Sequence, residues 1–360
     1  MNTARPLAVV IGTGFGTRVH VPALRSAGFD VVAIVGRNPD KTAHLAAKSG
    51  VEYGFVDVGA ALELKPQVVV VATPPHTHAD LARQAFAAGA HVVCEKPFTS
   101  TLEEAAELCA ISAKTGLIGI LCHEFRYMPS TALFGRLLES GAIGEPRITT
   151  LIAHCDIVAD TAGSRSDWWF DKSKAGGWFG ASGSHGIDRI QDWYGEIAGV
   201  GAQLRCAADR PATSADDSFT MQFLTRSGVT GTFDSTAAAW GPNFGLQRVS
   251  GTGGTMWIDD ETGAGNLESL SGSVHIANKG GVREIPIPAD LVLPDNEYTR
   301  RWGPVGAMAS LYGDLAHMIG GGVIERRFPR PALFEDGYRN MLVMEAVRQS
   351  AEQLRWVEVG

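Results

Sequence analysis

The sequence predicts an α/β protein in two parts, a doubly wound parallel sheet followed by an α+β domain with an open, mostly antiparallel sheet. Over residues 1–123, short β-rich runs alternate with segments of helical period, which is typical of parallel βαβ units. From residue 124 onward, strands follow one another with turn sequences such as RSGVTG and NKGG between them, which favours antiparallel pairing. A chain of 360 residues exceeds the usual size of one core. We therefore expect two domains, 1–123 and 124–360.

In the first part, apolar runs that fit buried parallel strands alternate with helical segments that end at glycine. Asn38 and Pro39 are a typical N-cap and first-turn pair, and Ser100 with Glu103 forms a capping-box pattern. The expected strands are LAVVIG (7–12), DVVAIVG (30–36), QVVVVATPP (67–75) and HVVCEKP (91–97), and the expected helices cover 17–27, the segment from Asn38 to Gly50, 77–88 and 100–116.

The second part begins with a helix (130–140) and a strand (147–157), and a tryptophan-rich loop then leads to a helix at 185–194. Runs such as DSFTMQFLT and TMWIDD fit strands of a sheet with one solvated face. Helices near 306–319 and 335–353 complete the chain. Because ligand sites form preferentially between domains, we expect the functional site in the crevice between the two.

The composition describes an ordinary globular protein and excludes several classes of partner. Apolar residues make up 45% of the chain and charged residues 19%. The formal charge is −8 and the sequence has no basic cluster, so we expect no nucleic-acid partner. The longest aliphatic run, VVVVA at 68–72, is too short to span a bilayer, and we expect no membrane partner. Five cysteines without framework spacing are typical of a reducing compartment, so we expect a cytoplasmic protein.

A glycine-rich loop lies between the first strand and the first helix. In VVIGTGFGTRVHVPAL, the first glycine permits a tight turn, and the second lets the backbone approach a pyrophosphate at the helix N-terminus. The third position of the G-x-G-x-x-G pattern is Thr17, a small residue in place of glycine. The order of strand, loop and helix favours a dinucleotide site over a plain turn. Its loop residues would be Gly12, Thr13, Gly14, Phe15 and Gly16.

The end of the second strand predicts which dinucleotide binds. Sites for NAD usually carry an acidic residue about 20 residues after the loop, where it binds the ribose 2′-hydroxyl. Here Gly36 and Arg37 occupy that place, with Lys41 just beyond. A missing carboxylate and a planar cation favour a 2′-phosphate, and a solvated turn residue is the alternative role for Arg37. We therefore expect NADP(H) in preference to NAD(H).

Five stretches of the chain, in order, resemble the motifs of one protein family. They are GTGFGTRVHVPAL (12–24), ATPPHTHADLARQAFAAGAHVVCEKP (72–97), FRYMP (125–129), GGWFGASGSHGID (176–188) and FEDGYRNMLVMEAVRQSAEQLRWVEV (334–359). The family is the Gfo/Idh/MocA oxidoreductases, which include inositol, glucose–fructose and related sugar dehydrogenases. The resemblance implies a Rossmann domain followed by an α/β domain with an open, mostly antiparallel sheet. It also implies hydride transfer between a nicotinamide and a carbinol or carbonyl carbon.

The resemblance implies a role for the charged residues that end the strand at 91–97. In the family, the lysine of the Glu-Lys-Pro motif lies beside the nicotinamide and the substrate hydroxyl, so Lys96 is the expected catalytic group. An ammonium there can stabilise a developing alkoxide or relay its proton. Glu95 would orient the cofactor or balance charge, and Pro97 restricts Lys96 to extended backbone angles. Further cofactor contacts implied by the resemblance are Ala72, Thr73, Pro74 and His78, with His76 as an equal alternative to His78.

The second-domain motif departs from the family pattern. The family usually carries an aspartate four residues before the motif's histidine, but here Ala181 occupies that position and His185 is retained. Asp188 lies on the same helical face as His185 and is either its orienting partner or a structural residue. Three explanations remain open: His185 acts as acid–base alone, another carboxylate substitutes, or the chemistry has changed. The candidates for a substitute are Asp156, Asp160, Asp167 and Asp171.

Aromatic and basic residues complete the expected site. Arg126 and Tyr127 match a family position near cofactor and substrate, and packing at the domain junction is the alternative role for Tyr127. Indole rings stack on the apolar faces of sugar rings, and Trp169 and Trp178 are the expected substrate contacts. The His-x-His pair at 76–78 lacks further ligands at metal-binding spacing, so we expect no metal.

These residues favour an NADP-dependent dehydrogenase or reductase that acts on a hydroxyl or ketone of a sugar, cyclic polyol or derivative. Two alternatives remain: an enzyme for a non-sugar alicyclic or aromatic-derived substrate, and a dinucleotide-binding sensor without turnover. Retention of Lys96 and His185 argues against the sensor. The exposed face of an open sheet usually needs covering, and family members pair through it, so we expect a homodimer or homotetramer.

Overall fold

The computed structural model describes residues 5–163, 167–211, 214–260, 272–300 and 303–360, which divide into two units. No helix in these ranges is both long enough and apolar enough to cross a bilayer. The first unit takes in the chain up to Tyr127 together with Leu293–Arg326 and Arg330–Tyr338, and the second takes in Met128–Val292, Arg327–Pro329 and Arg339–Gly360. This division differs from the expected one at 123/124, because segments near the end of the chain return to the first unit.

The first unit is built on a parallel sheet with one antiparallel edge strand. Within the described part of this unit, the strands are β1 (Leu7–Ile11), β2 (Asp30–Val35), β3 (Tyr53–Phe55), β4 (Val68–Val71), β5 (His91–Cys94), β6 (Gly119–Leu121) and β15 (Ala332–Leu333). Their order across the sheet is β15-β6-β5-β4-β1-β2-β3, and β15 pairs antiparallel with β6. The order reverses beside β1, so the carboxyl ends of β1 and β4 form the switch point where doubly wound sheets bind ligands. The predicted doubly wound parallel sheet is confirmed.

The helices of the first unit begin and end close to the residues that the sequence indicates. They are α1 (Val21–Ser26), α2 (Pro39–Ser49), α3 (Val58–Leu62), α4 (His78–Ala87), α5 (Leu102–Thr115), α8 (Gly303–Ile319) and the first turn of α9 (Phe334–Gln353). Asn38 caps α2, as expected. The capping box of α5 uses Thr101 and Glu104, one residue later than the expected Ser100 and Glu103. The sequence STLEE contains the pattern twice, and local sequence does not choose between the two registers.

The second unit contains an open sheet whose described strands pair antiparallel except for one parallel pair, β7 with β10. The strands are β7 (Pro146–His154), β8 (Ile197–Arg205), β9 (Ser218–Thr225), β10 (Thr230–Thr236), β11 (Phe244–Gly251), β12 (Thr255–Asp260), β13 (Ser273–Asn278), β14 (Gly281–Ile285) and β16 (Val357–Glu358). Their order is β14-β13-β12-β11-β7-β10-β9-β8-β16. The predicted α+β domain with a mostly antiparallel sheet is confirmed.

One face of this second sheet is covered and the other is open. Along β9, Phe219, Met221 and Phe223 are buried, while the alternate residues Gln222 and Leu224 are exposed. The helices of this unit are α6 (Pro129–Glu139), α7 (Ser184–Tyr194) and the remainder of α9. The alternation is the one expected for an antiparallel sheet with its core on one side.

Replacing Gly186 by alanine tests how closely α7 packs on the sheet. A Cβ at Gly186 would lie 2.0 Å from Cε1 of Phe233 in β10, and the Phe233 side chain is itself only 1% exposed. We expect Gly186→Ala to lower the free energy of unfolding by about 1–3 kcal/mol, because a buried ring must shift.

Gly313→Ala in α8 is the matched control, since an added Cβ there meets no atom within 4 Å. This change should raise the free energy of unfolding by about 0.5–1 kcal/mol, because alanine has less backbone freedom in the unfolded chain. Urea denaturation measures both changes, and equal effects of the two variants would contradict the close packing of α7.

Candidate active site

The glycine-rich loop leaves β1 and approaches the end of β4. Gly12 has φ of +124°, and a Cβ on it would lie 2.1 Å from the main-chain oxygen of Ala72, so only glycine fits. A Cβ on Gly14 would meet no atom within 4 Å, so there is open space above the loop. The chain then enters a π-helical turn, Gly16–His20, that continues into α1. This combination of a close turn, open space and a helix N-terminus fits a dinucleotide pyrophosphate.

The end of β2 carries positive charge and lacks an acid. Gly36 follows the strand directly, and a Cβ there would lie 2.3 Å from Oγ1 of Thr42. Arg37 and Lys41 are exposed, and the side chain of Asn38 accepts a hydrogen bond from the Lys41 main chain at 2.9 Å. The position that would bind a ribose 2′-hydroxyl is therefore occupied by glycine and arginine.

The segment after β4 is tied to the segment after β5 by a buried histidine. Residues 72–74 are partly exposed at the carboxyl end of β4. His78 is fully buried, with Nε2 at 2.8 Å from the Thr73 oxygen and Nδ1 at 3.1 and 3.0 Å from the main-chain oxygens of residues 97–98. Burial lowers the pKa of the His78 ring. We had expected this ring to contact the cofactor, and the structure gives it main-chain partners, whereas His76 is exposed.

Glu95 and Lys96 follow β5 and have different surroundings. Lys96 is half-buried, whereas Glu95 is 8% exposed. His20 lies within hydrogen-bond distance of two groups: its Nε2 is 3.0 Å from Oε1 of Glu95, and its Nδ1 is 2.6 Å from the hydroxyl of Tyr312 in α8. A neutral ring satisfies both contacts if it donates to the carboxylate and accepts from the phenol. The main-chain N–H of Lys96 donates to Oε2 of Glu95 at 3.2 Å.

Two carboxyl groups beside Lys96 are held in opposite protonation states. Burial alone would raise the pKa of Glu95, but the hydrogen bond from His20 and the Lys96 ammonium hold this pKa below its usual value. Glu124 follows β6 and is 3% exposed. Burial raises the pKa of Glu124 to about 8, the negative Glu95 adds to the increase, and Lys96 opposes it. At neutral pH, Glu95 is therefore ionised and Glu124 is protonated.

His20, Glu95 and Cys122 bring donor atoms within 4.8 Å of one another. A metal ion would have to displace the hydrogen bond between His20 and Glu95. Burial also raises the pKa of the Cys122 thiol, whereas a metal is bound by the thiolate. We assign no metal to this cluster.

Arg126 and Tyr127 are buried among carboxylates of the first unit. Nη1 of Arg126 lies 3.6 Å from Oδ2 of Asp336 in α9, and the hydroxyl of Tyr127 donates to Oδ2 of Asp314 in α8 at 2.6 Å. These ion-pair and hydrogen-bond partners come from segments late in the chain, which the sequence alone did not place near residues 126–127. The structure thus gives both side chains partners within the first unit, and the expected contacts with cofactor and substrate stay predictions.

His185 lies at the start of α7 in the second unit and is 4% exposed. A π-helical turn, Phe179–Gly183, leads directly into α7. Asp216 holds the beginning of this turn, since its carboxylate accepts a hydrogen bond from the Phe179 main chain at 2.6 Å. Burial raises the pKa of Asp216 to about 6. The position of His185 therefore depends on a carboxylate that the sequence analysis did not single out.

The expected substitutes for the missing family aspartate have other surroundings. Asp156 and Asp160 are exposed. Asp171 accepts hydrogen bonds from the main chain and the hydroxyl of Ser173, which together with Lys174 hold its pKa at about 2. The side chain of Asp167 lies outside the described residues.

Asp188 has a partner on another helix. It is 1% exposed and accepts a hydrogen bond from Nδ2 of Asn340 in α9 at 3.1 Å. This contact fits a structural role for Asp188, and a role in orienting His185 stays a prediction.

Trp169 and Trp178 stack on each other in the second unit, with ring centroids 6.4 Å apart and an interplanar angle of 30°. Trp178 is 6% exposed and donates from Nε1 to Oγ of Ser235 at 2.8 Å. Trp169 is half-buried. Trp178 is thus a fixed support, and Trp169 is the more accessible of the pair.

The sequence analysis missed His20, Tyr312, Glu124 and Asp216. Glu124 had the same signal as Glu95, a charge placed directly after a buried strand, and could have been found. His20 is a polar residue on the buried side of the first helix. Tyr312 and Asp216 carry no local signal, because only the fold brings them to their partners.

Two family models match this chain. The model described as the oxidoreductase family with an NAD-binding Rossmann fold matches residues 7–123. The model of the GFO/IDH/MocA C-terminal domain matches residues 133–257. Together they cover more than half of the chain, which belongs to the Gfo/Idh/MocA family of oxidoreductases.

Individual relatives extend the likeness over almost the whole chain. An uncharacterized oxidoreductase of Synechocystis is 27% identical, with 97% of this chain and 95% of the relative covered. A levoglucosan dehydrogenase of Pseudarthrobacter phenanthrenivorans is 28% identical, with 91% and 88% covered. Among solved structures, levoglucosan dehydrogenase in complex with NADH and levoglucosan superposes with a TM-score of 0.84 at 25% identity, covering 99% of each chain.

Replacing Tyr312 by phenylalanine tests the support of Glu95. The change removes the hydroxyl that lies 2.6 Å from Nδ1 of His20 and leaves this buried nitrogen without that partner. We expect the free energy of unfolding to fall by about 1–3 kcal/mol. Tyr53→Phe, at a tyrosine that is 40% exposed, is the matched control and should have little effect. Thermal and urea denaturation measure both, and an unaltered Tyr312→Phe protein would contradict the assigned hydrogen bond.

Proposed function

We propose that the protein is an NAD(P)-dependent oxidoreductase that transfers a hydride between a nicotinamide and a hydroxyl or ketone carbon of a sugar, cyclic polyol or derivative. The observation that carries the proposal is the pair at the end of β5, a half-buried Lys96 directly after an ionised, buried Glu95. This pair stands at the carboxyl edge of a doubly wound sheet, one strand away from β4 and two from the glycine loop. Such an edge is where these sheets bind nucleotides.

The first unit would hold the cofactor with three groups of residues. The N–H groups at the start of the first helix face the pyrophosphate, with Gly12 and Gly14 leaving it room. Residues 72–74 line the nicotinamide end of the site. When bound, the nicotinamide supplies the hydride acceptor or donor. Glu95 provides fixed negative charge beneath Lys96.

Lys96 would act on the substrate oxygen. Its ammonium stabilises the developing alkoxide or relays the hydroxyl proton. We propose His185 as the assisting acid–base group, on the helix that follows Ala181, where the family aspartate is replaced.

Two observations support a sugar-like substrate. The likeness to a levoglucosan dehydrogenase extends over nearly the whole chain. Trp169, supported from behind by Trp178, offers an indole face of the kind that stacks on pyranose rings. The same aromatic pair also suits a flat alicyclic or aromatic-derived substrate, which is the second candidate. Measuring turnover with polyols and with dihydrodiols and hydroxy-ketones separates the two candidate substrate classes. Tight cofactor binding without turnover of any of these compounds would favour a dinucleotide-binding sensor.

We propose NADP(H) as the preferred cofactor because Arg37 is exposed directly beyond β2 and no acid stands in the position for the ribose 2′-hydroxyl. The similar structure of levoglucosan dehydrogenase contains NADH, and NAD(H) is therefore the alternative cofactor for this chain. We further propose that two copies pair through the open face of the second sheet, where Ile148 is 58% and Phe244 is 49% exposed. A cytoplasmic location is our expectation from the free cysteines.

Replacing Lys96 by alanine tests its role in the reaction. We expect turnover to fall by about 10²–10⁴-fold, the usual contribution of a positioned acid–base group, with little change in cofactor affinity. Lys114→Ala, at an exposed lysine in the last turn of α5, is the matched control. Steady-state kinetics with fluorescence titration of the reduced cofactor gives both quantities, and unaltered turnover in Lys96→Ala would refute the assignment.

Replacing Arg37 by alanine tests the choice of cofactor. Loss of a charge-assisted contact with the 2′-phosphate should weaken NADPH binding by about 10- to 100-fold and leave NADH binding unaltered. Arg205→Ala, at an exposed arginine that ends β8, controls for the loss of one positive charge. Tighter binding of NADH than of NADPH by the unmodified protein would overturn the preference.

A further inference from the structure

Glu124 is a buried carboxyl group for which neither the family resemblance nor the proposed reaction has a role. It begins the short turn after β6, is 3% exposed, and its Oε2 has no hydrogen-bond partner among the residues that the structure describes. Burying an unpaired carboxylate oxygen costs several kcal/mol. Such a group therefore either stays protonated or is ionised only when a bound ligand supplies a positive charge nearby.

The location of Glu124 indicates which ligand could supply this positive charge. Strands β5 and β6 pair in parallel, with Cys94 opposite Leu121, so the residues after both strands lie at the same edge of the sheet. Glu95 and Lys96 after β5 act on Glu124 with opposite sign. Among the described residues, the thiol of Cys122, directly after β6, and the phenol of Tyr312 in α8 also feel the charge of Glu124.

Among the described residues that act on Glu124, Lys96 contributes positive charge and Glu95 negative charge. Lys96 is balanced by Glu95, and burial raises the pKa of Glu124 to about 8, so that this second carboxyl keeps its proton at neutral pH. An oxidised nicotinamide carries a positive charge, whereas the reduced ring is neutral. Bound beside Lys96, the oxidised ring would add a second positive charge next to the ammonium in a poorly solvated place, which favours ionisation of Glu124.

We infer that Glu124 balances the charge of the oxidised nicotinamide: it holds a proton in the free enzyme and in the reduced complex, and gives up this proton when the oxidised cofactor binds. The inference rests on the proposed function, since it needs the nicotinamide to lie beside Lys96. Glu124 acts here through charge and does not contact the reacting atoms, so it is a positioning residue.

The same group completes the proton balance of the proposed oxidation. One proton leaves Glu124 for solvent when the oxidised cofactor binds. As the substrate C–H bond breaks and its hydride leaves with two electrons, the hydroxyl proton leaves through Lys96 to solvent, and Glu124 takes up one proton again because the ring has become neutral. Turnover then ends with Glu124 protonated, as in the free enzyme, and one proton is released for each substrate oxidised.

Proton release on binding tests this directly. Calorimetric titrations with the oxidised and the reduced form of the same cofactor, at about pH 7 in buffers of different ionisation enthalpy, give the number of protons exchanged. We expect roughly one proton released with the oxidised form and none with the reduced form, because the pKa of Glu124 is about 8 in the free protein. Titration of a 2′-phosphate is common to both forms and cancels in the comparison.

Glu124→Gln should abolish the difference between the two forms, because an amide of the same shape does not titrate. In the unmodified protein, affinity for the oxidised form should rise with pH by up to about tenfold per unit until about pH 8 and then level off. The reduced form should show no such rise, and Glu124→Gln should show none with either form. Glu103→Gln, at an exposed glutamate in the first turn of α5, is the matched control and should behave as the unmodified protein.

The outcomes separate this inference from the proposed function. Equal proton release with both cofactor forms, or release that persists in Glu124→Gln, would overturn the role of Glu124 and leave the oxidoreductase intact. Failure of either form to bind would overturn the oxidoreductase itself. If Glu124→Gln does not fold, Glu124→Asp replaces it as the test, because it keeps a carboxyl group. This variant must still release more protons with the oxidised than with the reduced cofactor, and equal release would reject the inference.

Discussion

The first unit depends on keeping a carboxylate ionised inside the protein. A buried charge is costly unless hydrogen bonds and an opposite charge replace the lost water. Glu95 has both, a hydrogen bond from His20 and the ammonium of Lys96. His20 is in turn held by Tyr312, which belongs to α8 near the end of the chain. The return of this late helix to the first unit therefore supports the position of Glu95, and with it the adjacent Lys96, as much as β5 does.

The second unit positions its histidine by close packing. Gly183 and Gly186 lie on either side of His185 in the sequence. A Cβ on Gly186 would collide with Phe233 of the sheet, and one on Gly183 would collide with Phe179 and crowd Phe219 of the sheet. The small residues let the helix approach the sheet, and the carboxylate of Asp216 holds the turn before it. The glycine-rich motif around the histidine thus has a packing role besides any contact with a ligand.

Local rules predicted well wherever a residue's partners are near in sequence. The apolar runs at β4 and β5, the cap of α2 and the glycine turn at Gly12 are all confirmed, because backbone propensity, burial and φ at these places are decided within a few residues. The roles expected for His78, Arg126 and Tyr127 stay predictions, because the partners of these residues lie far away in the sequence. Each of these side chains found buried partners 19 to 210 residues away.

The sequence by itself determined the two-part α/β architecture, the strand–loop–helix turn for a dinucleotide and the placement of Glu95 and Lys96 at a strand end. These follow from hydrophobic period, glycine positions and the directionality of parallel strands. Only the tertiary structure decided which carboxyl beside Lys96 is ionised. Glu95 and Glu124 both follow buried strands, and what distinguishes them is a hydrogen bond that long-range packing supplies to one and withholds from the other.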